Sequence, residues 1–111
     1  MIMTDDDMKN RLAQAKTFTL VILRKTPRMA EEGARAIVWE HGRRNMGLQA
    51  DGVMPLVFPV ADETDVSGVS VFVGAPDEVR GIMDGDPGVA AGLFTYEIHP
   101  CRGFPGSALP K

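Results

Sequence analysis

The chain has 111 residues, 44% of them apolar and 24% charged, with a formal net charge of −3. That length suits one domain rather than two, and the balance argues against a disordered polymer. An acidic total with scattered basic residues, apart from Arg43-Arg44, argues against nucleic-acid binding, and a single cysteine, Cys101, excludes a disulfide scaffold.

The start, Met1-Ile2-Met3-Thr4-Asp5-Asp6-Asp7, is acidic where a secretory signal is basic and then apolar. No apolar run approaches the roughly 20 residues of a membrane span. The expected location is therefore the cytoplasm, with no membrane partner. Thr4 is a natural helix cap and the aspartates suit a helix N-terminus, so a short extra helix is expected to reach about Lys16.

The run Thr17-Phe18-Thr19-Leu20-Val21-Ile22-Leu23 predicts a central strand, ended near Pro27. From about Met29 to Ala50 the spacing of Ala34, Ile37, Val38, His41, Asn45 and Leu48 predicts a helix, weakened by Gly33 and Gly42 and closed by Asp51-Gly52. Residues 53–61 read as a strand that Pro55 and Pro59 demote to an edge or a bulge. A polar turn follows, then a strand over 66–73 and a helix opened by Pro76 and stopped by Asp84-Gly85-Asp86-Pro87-Gly88. Residues 93–99 predict the last strand, ended by Pro100.

This order is a split βαβ arrangement after an extra helix: an α+β, ferredoxin-like domain over residues 17–101. Residues 1–16 are the helical extension and 102–111 an irregular tail. Both helices cover one face of an antiparallel sheet. Nothing remains to cover the other face, so a partner sheet, and hence a homodimer, is expected.

His41 stands on the apolar stripe of the long helix. Imidazole near neutral pH suits a general acid or base, but the position also fits a core histidine bonded to one neighbour. Asp86 precedes Pro87, as turn-starting aspartates do, and it could also orient His41. Spacing alone leaves both choices open. Arg44 can bind an anionic substrate or form part of a solvated helix face. Trp39 sits one step from the stripe and could line a cleft or a dimer edge. Met54 is core or pocket wall, as are Met46 and Met83. His99 and Cys101 are too few for a metal site. The segment Gly103-Phe104-Pro105-Gly106 neither follows a suitable strand nor opens a helix, so no nucleotide or other cofactor is expected.

The segments His41-Gly42-Arg43-Arg44, Asp51-Gly52 and Pro59, with Asp86-Pro87-Gly88-Val89-Ala90-Ala91-Gly92-Leu93-Phe94 and Glu97-Ile98-His99-Pro100, resemble the YCII-related family. The resemblance spans about residues 17–101. It implies a dimeric α+β barrel whose cleft, between sheet and helices, takes a small-molecule ligand. It also implies an acid–base dyad of His41 and Asp86, and from this a cofactor-independent lyase or isomerase is expected to act on a small cyclic or aromatic metabolite. A non-catalytic small-molecule-binding or accessory domain is the alternative. The family often carries Gly-Pro at Phe58-Pro59 and a larger residue at Gly88, so a widened pocket is expected here.

Overall fold

In the computed structural model, which covers residues 1–111, Thr4 opens the first helix through a reciprocal cap. Its Oγ1 accepts from the Asp7 N–H at 3.1 Å, and the Asp7 carboxylate accepts from the Thr4 N–H at 3.1 Å. This helix, α1 (Asp5–Ala13), ends before Lys16 and buries no residue. The overall extents of 56 × 29 × 25 Å are those of an elongated molecule.

The first strand, β1 (Lys16–Lys25), begins one residue before the expected run and extends two beyond Leu23, stopping before Pro27. It pairs antiparallel with β3 (Val66–Phe72) on one side and β4 (Phe94–Gly103) on the other, while β2 (Leu56–Pro59) pairs with β3. The sheet order β2-β3-β1-β4, antiparallel throughout, is the ferredoxin-like one. Pro59 sits at the end of an edge strand, where its missing N–H costs no ladder bond.

Three local features differ from the sequence expectation. The long helix does not begin near Met29. A 3-10 turn (Pro27–Ala30) is capped by Thr26, and α2 (Ala34–Ala50) starts after Gly33, whose φ of +85° is a left-handed conformation that breaks the helix. After α3 (Pro76–Asp84) the chain forms one further turn, α4 (Pro87–Ala90), where only a stop was expected. Pro100 does not end β4, because it lies opposite Thr19 on the sheet's edge strand, and the ladder continues to Gly103. The irregular tail therefore starts at residue 104; Gly103 closes the strand, and residues 104–106 open no helix.

Alternation along the strands assigns the two faces. Thr19, Val21 and Leu23 of β1 stand opposite Phe72, Ser70 and Gly68 of β3. Val21, Leu23 and Phe72 from this face join Ala34 of α2 and Val79 and Met83 of α3 in the core. The hydroxyl of buried Thr19 donates to the Gly74 carbonyl at 2.7 Å. The other face carries Leu20 and Ile22, Val69 and Val71, and Leu56 and Phe58, with no element of the chain over it. No helix is long and apolar enough to cross a membrane.

Candidate active site

Helix α2 aims one face at the sheet, and His41 lies on its middle turn, 12% exposed at its side chain. One turn on, at the spacing that puts two side chains on the same face, is Asn45. Behind the ring is Phe94, the first residue of β4, with ring centroids 4.8 Å apart. Asp86 reaches His41 from the turn between α3 and α4.

The turn is what makes Asp86 rigid. As the cap of α4 it is 1% exposed, and its Oδ2 accepts from the Gly88 N–H at 3.0 Å and the Val89 N–H at 3.1 Å. Its Oδ1 lies 2.7 Å from His41 Nδ1. The sequence left two choices for Asp86, turn starter or partner of His41, and each carboxylate oxygen takes one of them. Burial opposes the charge on this carboxyl. The hydrogen bond and charge of His41, with the two amides, outweigh burial and hold it below the usual carboxylate range.

That direction fixes a pH dependence. The folded protein binds the Asp86 proton less readily than the unfolded chain does. The stability it contributes is fully present above the unfolded value, about 3.9, and is lost as pH falls through the lower folded value. Thermal unfolding below about pH 4 should therefore fall more steeply for the native chain than for Asp86→Asn. Parallel acid limbs would mean that the folded carboxyl is not depressed.

Because a carboxylate only accepts, His41 Nδ1 carries the hydrogen of the Asp86 bond. In the neutral ring Nε2 is then the acceptor, and Asn45 Nδ2 lies 3.2 Å from it. A cleft of about 310 Å³ opens at this point between α2 and the sheet. Its walls include Val38, His41, Asn45, Met54, Val57, Ser70 and Phe94. An imidazole held by a carboxylate on one nitrogen and lining a cavity can take a proton from a ligand and return it.

The expected site residues separate into groups. His41, Asp86 and Met54 come together, Asp86 at the Nδ1 edge of the ring and Met54 in the cleft wall, buried at 2% exposure. Arg44 does not line the cleft. Its Nη1 lies 3.9 Å from Asp86 Oδ1, and its guanidinium lies against Gly85. Trp39 is 70% exposed and lines a neighbouring groove of about 450 Å³ with Met29, Arg35, Arg43 and Met46. Gly88 does not widen the cavity, because the Phe94 ring fills the space beside it. Sequence reasoning missed the roles of Asn45, Ser70 and Phe94. Only the four-residue step from His41 to Asn45 could have been noticed.

No protein-family model and no curated protein matches the chain. Among solved structures, the chain is similar to the 5-chloro-2-hydroxyhydroquinone dehydrochlorinase of Burkholderia phenoliruptrix, determined with 2,5-dihydroxybenzoquinone. The identity is 18%, the TM-score 0.49, and the match covers 74% of this chain and 90% of that one.

Proposed function

We propose that the chain is a cofactor-independent lyase or isomerase of the cytoplasm, acting on a small cyclic or aromatic metabolite. The observation that carries this reading is the 2.7 Å contact of His41 Nδ1 with the buried Asp86 carboxylate, while His41 and Asn45, the partner of its other nitrogen, both line a ligand-sized cleft. At about 310 Å³ the cleft is at the small end of ligand sites. His41 Nε2 takes a proton from an enolisable or phenolic position. The freed electron pair then expels a leaving group, or the proton returns at another carbon. Asp86 orients the ring and stabilises the imidazolium that forms. The resemblance of the sequence to the YCII-related family agrees with this assignment.

His41→Ala should lower turnover of the true substrate by roughly two to four orders of magnitude. Unchanged turnover would sink the mechanism. A second reading, a non-catalytic binding or accessory domain, is favoured by one observation: both ring nitrogens of His41 already have partners, Asp86 and Asn45. No turnover of any ring compound that binds would select it.

We also propose that a second copy covers the open sheet face. That face is apolar at its centre and carries charge at its border, where Arg24 bonds Glu97 at 2.7 Å and Asp65 at 2.9 Å. Light scattering at micromolar concentration should give twice the chain mass, and Leu20→Asp should give the single mass. A native monomer would contradict the covered-face proposal.

A further inference from the structure

The cleft beside His41 has mainly apolar walls with a few polar groups and no charged ones. No Lys, Arg, Asp or Glu is among its lining residues, and its polar side chains besides His41 are Asn45, Gln49, Ser67 and Ser70. An anionic group entering it would lose water without gaining a cation, which is unfavourable. The nearby guanidinium, Arg44, is placed beside Asp86 instead.

The hydrogen-bond directions say more. Asp86 Oδ2 already accepts two backbone N–H groups, and Oδ1 accepts from His41 Nδ1. The neutral ring therefore presents Nε2 as a lone pair, and the Asn45 amide donates to it at 3.2 Å. Asn45 also lines the cleft. A ligand that reaches Nε2 must displace this amide, and it can replace the lost bond only with a donor of its own.

We propose that Asn45 holds the substrate's place at His41 Nε2, and that the cleft takes an uncharged ring bearing a hydroxyl that displaces the Asn45 amide. The proposal rests on the acid–base reading for the role of Nε2 and adds the substrate class and the residue that selects it. Asn45 is a positioning residue: it satisfies the acceptor nitrogen at the cleft wall until a donor arrives. An ether has no hydrogen to give, and a carboxylate would lose its hydration with no cation in the cleft to replace it.

Three matched probes test it: resorcinol, its dimethyl ether, and 3,5-dihydroxybenzoate. Each is titrated into the full chain at about pH 8, where a benzoate carboxylate is ionised. Nitrogen NMR of the Asn45 amide and the His41 ring is the readout. Resorcinol should bind and move both signals together. The ether and the carboxylate should each bind at least about tenfold more weakly. Smaller discrimination, a resorcinol complex with the Asn45 amide unmoved, or no binding of resorcinol at millimolar concentration would each overturn the proposal.

Asn45→Leu removes the donor at similar size. It should shift the Nε2 signal of the free protein and hold or raise resorcinol affinity, since no amide then competes for Nε2. A tenfold loss would mean that Asn45 itself grips the ligand, and would overturn the placeholder role. If that variant does not fold, the native titration still decides. Resorcinol-class binding without turnover of any hydroxylated ring would sink the acid–base function and leave this assignment standing. Turnover of a carboxylated substrate, lost in His41→Ala, would do the reverse.

Discussion

Asp86→Asn should leave a folded protein and remove roughly three to four orders of magnitude of turnover. The reason lies in which oxygen does what. Two backbone N–H groups, from Gly88 and Val89, converge on Oδ2, while Oδ1 faces His41 Nδ1. An amide has one oxygen to share between these two places. Placed toward the backbone donors, it keeps the helix cap, because asparagine caps as well as aspartate. Its NH2 then faces His41 Nδ1 and donates to it. The ring must take the other tautomer, with its hydrogen on Nε2, and so presents the cleft with a donor in place of a base. Stability should fall by only about 1 kcal/mol, since the cap survives. Asp86→Ala behaves differently. It strips partners from the ring and from two amides, and should lower stability by about 3 kcal/mol. Nitrogen NMR of His41 separates the tautomers directly. An Asp86→Asn protein with Nε2 still unprotonated at alkaline pH would show that Asp86 does not set the ring's state.

The same residue shows how far the sequence could be read. The spacing from Ala34 to Leu48 put His41 on the buried face of a helix, and element order put the turn of Asp86 at the end of the second βαβ half. Neither reveals that the two side chains meet, because a contact spanning 45 residues depends on how the helices lie across the sheet. Element order was legible because each strand and helix has its own period in the apolar residues. The boundaries were less so. Pro100 looked like a stop because a proline cannot donate to a ladder, but that rule holds only for inner strands, and β4 is an edge. Gly33 looked like a weak point inside a helix, yet its left-handed conformation is what separates α2 from the turn before it. Trp39 was read by its place one step from the His41 stripe, and Arg44 by its charge. One step turns Trp39 toward a neighbouring groove, while Arg44, three residues from His41 and so near its face, lies beside the Asp86 carboxylate rather than in the cleft.

Gly88 carries the second large effect. A hydrogen-to-methyl change there should lower stability by about 2 kcal/mol, which for a domain this size lowers the thermal midpoint by roughly 10 °C. Local propensity argues the other way, since alanine is favoured over glycine inside a helical turn by about 1 kcal/mol. Sterics decide. A Cβ at this position would stand 2.5 and 2.6 Å from two carbons of the Phe94 ring and 3.1 Å from Asp86 Oδ2. Phe94 is 3% exposed and cannot swing out to solvent. It also packs on the His41 ring, with centroids 4.8 Å apart, so its displacement moves the imidazole relative to both Asp86 and the cleft. Gly88→Ala should therefore lose turnover as well, by about tenfold to a hundredfold, although residue 88 touches no part of the cavity. The Phe94 ring is the link, and a double-mutant cycle isolates it. Phe94→Leu alone costs about 1 kcal/mol, and with it Gly88→Ala should become milder by 1 kcal/mol or more, because the clashing ring edge is gone. Purely additive losses in chemical denaturation would place the strain elsewhere, and an unchanged midpoint in Gly88→Ala would mean that the α4 turn can open enough to admit a methyl group.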